Sequence, residues 1–168
     1  MKSDTFRAMS AMKLVGALAA VLVLGACAKN GTVDANNPAL ANANAATPGS
    51  QQDFVVNVGD RVFFEVDSSE LTGQSRTTLD KQVQWLQNYR TYAFTIEGHA
   101  DERGTREYNI ALGARCAQAV RDYMVARGIE AHRMRTVSYG KERPVAVCND
   151  ISCWSQNRRS VTVLGATS

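Results

Sequence analysis

The apolar run at residues 14–24 ends in Gly25, Ala26 and Cys27, and this ending decides how the rest of the chain is divided. A membrane-spanning helix needs roughly 20 apolar residues, so this run is too short to be one. Lys2, Arg7 and Lys13 precede it. A basic start, a short apolar stretch and small residues before a cut are the pattern of a secretory signal, and a short buried core helix would not carry those flanks. Met1, Met9 and Met12 are alternative starts, and Lys13 follows all of them. Taking residues 1–26 as a removed signal leaves about 140 residues, enough for one domain. The net charge is +3, with the basic residues dispersed. No Lys/Arg block points to nucleic acid.

Residues 27–52 read as a flexible tether. Ala, Asn, Gly, Pro, Thr, Ser and Gln dominate it, and such a segment buries too little apolar surface to offset its ordering entropy. As a coil it spans roughly 25–30 Å, at about 5–6 Å times the square root of its length. Fully stretched it reaches about 80 Å. The folded domain is expected over 53–168. A strand is expected within 61–66, with Val62, Phe64 and Val66 on one face. Asp67, Ser68 and Ser69 form a turn, and Thr72 caps a helix over 74–89 whose apolar positions are Leu79, Val83 and Leu86. A second strand is expected over 92–97, with Phe94 and Ile96 inward. A polar loop follows over 98–104. A long helix over 105–127 carries a stripe of Tyr108, Leu112, Cys116, Ala119 and Tyr123, and Gly128 suits its end. Further strands are expected over 134–139 and 159–164. The order β-α-β-α-β-β favours the α/β class, a mixed four-stranded sheet covered by helices.

Four cysteines are present. If Cys27 is consumed at the cut, three remain in an oxidising compartment. Cys148 and Cys153 lie close together in a polar loop and are candidates for a disulfide, which leaves Cys116 odd. Cys116 falls in an apolar helical stripe, where a cysteine behaves as a small hydrophobe rather than a nucleophile. His99 stands near Glu97 and Asp101, but no second histidine is close, so no metal site is expected. Glu97, Asp101 and Glu102 are acids of the kind glycan hydrolysis uses, yet three clustered loop acids are ordinarily solvated. No catalytic residue is assigned and no enzyme activity is expected. On charge alone, Asp101 and Arg158 read as a structural ion pair.

Leu24-Gly25-Ala26-Cys27 resembles the lipobox of bacterial lipoproteins. That resemblance implies a diacylglycerol on the Cys27 thiol, cleavage before it, and acylation of the new amine. Acyl chains contribute about 0.8 kcal/mol per buried CH₂, so several of them hold firmly. Ala28 and Lys29 follow rather than Asp, which implies the outer membrane. Apart from this covalent lipid no cofactor is expected.

The stretch Glu97-Gly98-His99-Ala100-Asp101-Glu102-Arg103-Gly104 leads into Tyr108-Asn109 and Leu112-Gly113-Ala114-Arg115. Tyr139-Gly140-Lys141-Glu142-Arg143-Pro144 and Asn157-Arg158-Arg159 come later in the chain. Together these resemble the OmpA-like peptidoglycan-binding domain family, over about 60–164. The resemblance implies an α/β sandwich that binds the meso-diaminopimelate of peptidoglycan stem peptides non-covalently. It carries over to Phe64, Asp67, Ala100, Asp101, Asn109 and Arg158. Asp101 would face the ligand ammonium, and the planar fork of Arg158 would face a ligand carboxylate. His99 would shape the loop. The partners implied are peptidoglycan, the outer-membrane inner leaflet through the anchor, and the proteins TolB and TolA. These act in a trans-envelope system that maintains outer-membrane integrity and supports invagination at cell division. One departure stands out. The family has two consecutive basic residues where this chain reads Arg115-Cys116. Arg115 is a candidate compensating cation, or Arg158 holds the carboxylate alone, or wall binding is weak and the domain serves chiefly as a protein–protein adaptor.

If Cys27 is the anchor, Cys27→Ser should release a folded domain from membranes. Mass spectrometry of the mature N-terminus should show an acylated Cys27, and an unmodified residue in a membrane-retained protein would rule the anchor out.

Overall fold

A computed structural model describes residues 46–165. The signal segment, Cys27, most of the tether and the choice among Met1, Met9 and Met12 lie outside the described residues. Order begins ahead of residue 53, where the sequence pattern places the domain boundary. Ser50 accepts from the Asp53 amide and caps a short helix, α1 (Gln51–Asp53). It runs into a wider turn, Phe54–Val58, closed by the Gly59 amide on the Phe54 carbonyl at 3.0 Å. The Phe54 ring is fully buried against Trp85, with centroids 5.0 Å apart. Trp85 donates to Asp53 at 2.8 Å, and the Tyr92 hydroxyl donates to the Gly49 carbonyl at 2.8 Å. Residues 49–53 carry almost no apolar surface of their own. They are held by polar groups of the domain, which composition does not reveal.

The strands are β1 (Arg61–Phe63), β2 (Phe94–His99), β3 (Met134–Gly140) and β4 (Arg159–Leu164). They form one sheet in the order β1-β4-β2-β3, with β2 and β3 parallel and β4 antiparallel to both β1 and β2. Helix α2 (Gly73–Asn88) starts at the Thr72 cap and buries Leu79, Val83 and Leu86, as their spacing predicts, together with Trp85. Helix α3 (Arg106–Ala126) starts at Thr105, whose side chain accepts from the Tyr108 amide. The mixed sheet covered by helices is the architecture expected from the sequence. No described helix is long and apolar enough to cross a membrane.

Four local expectations need correction. The first strand stops at Phe63, and Val66 is 50% exposed, because the chain turns at Asp67 in the left-handed region (φ 53°). Only Val62 and Phe64 share the buried face. The α3 core stripe is Leu112, Cys116, Val120 and Met124, with Gly113 and Ala117 beside it; Tyr108 is exposed, and Ala119 and Tyr123 are only part-buried. A recurrence of four from Leu112 fits this face better than the one that includes the tyrosines. A further helix, α4 (Ile151–Asn157), lies where a polar loop is expected, capped by Asp150. Only Cys153 and Asn157 of it are buried, so it has no apolar stripe to announce it.

The fourth correction positions the site. Strand β2 runs two residues further than expected, through Gly98 and His99. Gly98 lets α3 lie directly on the sheet: a Cβ there would stand 1.9 Å from the Gly113 carbonyl oxygen. Ser138 donates to the Ile110 carbonyl at 2.7 Å in the same seam. Pairing then shifts from Ser138 to Gly140 at the end of β2, an irregularity of the kind that re-aims a chain beside a site. Gly98→Ala should push backbone against backbone and cost about 1–3 kcal/mol or more. Urea denaturation should show a fall in midpoint at an unchanged slope, and unchanged stability would contradict the close seam.

Candidate binding site

The carboxyl end of β2 and the amino end of α3 are joined by residues 100–105, the position where open α/β sheets bind ligands. The Ala100 amide donates to the Gly140 carbonyl at 2.8 Å, which fixes the exit of the loop. Asp101 follows, only 6% exposed. Its Oδ1 accepts from the Arg103 amide at 3.1 Å, a local turn that brings the Arg103 side chain back over the carboxylate. The Arg103 Nε reaches Oδ1 at 3.1 Å, and its second guanidinium nitrogen reaches Oδ2 at 2.6 Å. Gly104 takes a positive φ of 87° and lets the chain enter α3. The Asn109 side-chain Nδ2 donates to the Arg103 carbonyl at 2.8 Å, and Lys141 donates to the Gly104 carbonyl at 2.7 Å.

The second wall comes from the far end of the chain. Arg158 leaves α4, is buried, donates its Nε to the Phe64 carbonyl at 3.1 Å, and reaches Asp101 Oδ2 at 3.0 Å. Asp101, Arg103, Arg158, Asn109, Tyr108 and Asp67 line a cavity of about 260 Å³. The Tyr108 hydroxyl bonds the Asp67 carboxylate across it. A larger hollow of about 470 Å³ runs along β1 and the start of α2, and Arg158 borders both. The larger one has no buried carboxylate in its lining, whereas the smaller one is lined by the buried Asp101.

Burial alone would push the Asp101 carboxyl up. The hydrogen bonds from Arg103 and Arg158 outweigh that, and the group lies below the usual carboxylate range. Asp101 is therefore an anion at neutral pH, and Arg103 is held charged beside it. His99 is pushed down to about 4, first by burial and then by the charges of Arg159 and Arg143. It is neutral, and its 3.6 Å approach to Glu97 is too long for a hydrogen bond. Its ring packs near Tyr139, with centroids 5.6 Å apart, and walls the end of the sheet.

Of the residues singled out in the sequence, Asp67, Asp101, Asn109 and Arg158 meet around the cavity. Phe64 and Ala100 stand behind it, Phe64 through its carbonyl and a buried ring, Ala100 through its amide. Arg115, the candidate compensating cation, is exposed and is not among the lining residues. The second cation at the cavity is Arg103. Its signal was available in its place two residues after Asp101 and just before a turn glycine. Cys116 lies behind the cavity, buried, its thiol pushed up to about 12 by burial and its Sγ 3.6 Å from the Ser68 carbonyl. Such a thiol is no nucleophile at neutral pH.

Cys148 and Cys153 are bonded, with Cα atoms 5.6 Å apart. Asp150 lies beside them, but disulfide sulfurs offer no thiolate to a metal. The Asn157 Oδ1 accepts from the amides of Val145 and Ala146 at 2.9 and 3.2 Å, so this loop is clamped at both ends of α4.

Residues 63–158 match the OmpA family. The chain belongs to that family. Within it, the chain is 65% identical over 151 residues to the peptidoglycan-associated lipoprotein of Rhizobium meliloti, covering 89% of this chain and 85% of the relative. The crystal structure of the peptidoglycan-associated lipoprotein from Burkholderia pseudomallei is similar, with 40% identity, a TM-score of 0.61, and coverage of 63% of this chain and 90% of that one. The C-terminal domain of Helicobacter pylori MotB shares the fold alone, at 17% identity and a TM-score of 0.60, covering 65% of this chain and 86% of that one.

Cys116→Arg would restore the family's second basic residue. Because Cys116 is 2% exposed in the core, the change should bury an unpaired charge and destabilise the fold by about 3–5 kcal/mol. Urea denaturation measures this. Retained stability would mean that the new side chain escapes into the cavity.

Proposed function

We propose that the protein is a non-catalytic outer-membrane lipoprotein, anchored through a lipid on Cys27, whose cavity holds the diaminopimelate end of a peptidoglycan stem peptide. The observation that carries this reading is a buried carboxylate flanked by two guanidiniums in one cavity. A side chain ending in both an ammonium and a carboxylate offers each of them a partner. Charge-assisted bonds of this kind are about twice as strong as neutral ones. The relatives whose names state peptidoglycan association, matched over most of their length, support the same reading. Catalysis is disfavoured by the pairing of Asp101, whose oxygens are already taken by Arg103 and Arg158. No cofactor is invoked. The protein acts in the Tol–Pal system with TolB and TolA as partners, supporting outer-membrane integrity and invagination at division.

One observation favours a second reading. The Asp101 anion is already neutralised within the chain, and Cys116 supplies no cation, so a ligand must displace an existing ion pair. That favours weak wall binding and a chiefly adaptor role through TolB.

Sacculus pull-down separates the two readings. Asp101→Asn keeps the shape and removes the charge. It should lose roughly 30- to several-thousand-fold in affinity, the about 2–5 kcal/mol typical for one partner of a desolvated charge pair. Asp101→Ala should also lower stability, because it leaves Arg158 buried without its anion. Wild-type sacculus binding by folded Asp101→Asn would refute the site, and TolB capture without sacculus binding by the wild type would favour the adaptor.

A further inference from the structure

The two guanidiniums on Asp101 are held in different ways. Arg158 is buried, and the Phe64 carbonyl fixes its Nε. Arg103 has a side chain 42% exposed and sits on the tip of a short loop. A long exposed side chain loses much rotamer freedom when it is fixed, so something must hold it. One face of its guanidinium lies 4.4 Å from the ring centre of Trp154. The indole Nε1 of Trp154 donates to Glu102 at 2.9 Å, so one side chain touches both residues that follow Asp101. Trp154 belongs to α4, and its carbonyl accepts from the Arg158 amide at 3.1 Å. Both cations of the cavity are thus placed by the same seven-residue helix, one through the backbone and one through an aromatic face.

A helix this short does not persist alone in water. The Cys148–Cys153 bond and the Asp150 cap hold its start, and Asn157 holds its end. The anchoring therefore runs from the disulfide to Trp154, from Trp154 to Arg103, and from Arg103 to the carboxylate.

We propose that Trp154 is a positioning residue for Arg103, and that the Trp154–Arg103 pair sets selectivity for a side chain ending in ammonium and carboxylate over one ending in ammonium alone. This rests on the reading that the cavity takes a diaminopimelate end group. An ammonium arriving at Asp101 competes with Arg103 for the same two oxygens. The displaced fork stays over the indole, at the cavity mouth, where a ligand carboxylate takes the place of Asp101 as its partner. A lysine-type end displaces Arg103 and offers it nothing. Without the indole the displaced arginine returns to solvent, and the carboxylate on the ligand ceases to matter.

The test is calorimetry on the full mature chain in detergent with two synthetic tripeptides, L-Ala-γ-D-Glu-meso-diaminopimelate and its L-Lys counterpart. Trp154→Ala should weaken the first by about five- to tenfold and the second by less than about twofold, the range expected for a lost cation–π contact. Trp154→Phe keeps an aromatic face and should recover most of the selectivity. Arg103→Ala, at an exposed position that does not threaten the fold, should lose the same selectivity, and the double variant should lose no more than either single one. Cys148→Ser should shift selectivity in the same direction by a smaller factor. Equal losses for both peptides in Trp154→Ala, or selectivity intact in Arg103→Ala, would overturn the proposal while leaving the cavity assignment standing. A wild-type chain that binds neither peptide would overturn the cavity assignment and this inference together.

Discussion

A carboxylate removed from water must find cations, and Asp101 draws them from two regions far apart in the chain. Arg103 is its near neighbour, while Arg158 lies 57 residues away and closes the loop between the end of β2 and the start of β4. The energetic asymmetry of such a cluster is large. Removing Asp101 leaves the buried Arg158 guanidinium without its anion, which is far worse than never having built the cluster. The loop at 100–105, the end of α4 and the carbonyl of Phe64 are therefore bound to one geometry. The cavity owes its shape to that requirement as much as to hydrophobic packing.

The packing beneath supplies the rigidity. Gly98 and Gly113 bring α3 onto β2 with no side chain between them, and Gly140 meets Asn109 and Ile110 in the same seam. Contact at that range leaves α3 no freedom to slide. Asn109 and Tyr108 therefore face the cavity from a fixed platform, and the change of register at the end of β2 precedes Asp101, which lines it. The cavity is thus walled by rigid elements on two sides, with the Asp101–Arg103 loop bridging them.

Much of this was legible in the sequence because it rests on local rules. Thr72 and Thr105 marked helix starts, Leu79, Val83 and Leu86 marked a buried face, and the turn at Asp67 was visible in composition. The resemblance to the family, not a local rule, assigned Asp67, Asp101, Asn109 and Arg158 to one site, and they line one cavity. What escaped depends on tertiary partners. Helix α4 is held by a disulfide and by Asn157 rather than by an apolar stripe. Val66 lost its core place to a backbone turn. Trp154 gave no signal, because its role depends on a loop 52 residues away. Arg115 looked available on charge alone, but helical phase turns it away from the cavity and gives the inward position to Cys116.

The segment at 49–58 also has a mechanical meaning. A pull applied at residue 46 reaches the sheet through Gln51, whose side-chain amide donates to the Leu164 carbonyl of β4 at 3.4 Å, as well as through contacts with Trp85 and Tyr92. It meets the Gly49–Tyr92 hydrogen bond first, then the Asp53–Trp85 bond, then the Phe54 ring seated on Trp85. These contacts lie between residue 46 and the three-residue pairing of β1 with β4, so they would share a load applied there with that pairing. Tension entering there would be spread over polar and aromatic contacts instead of falling on a single strand edge.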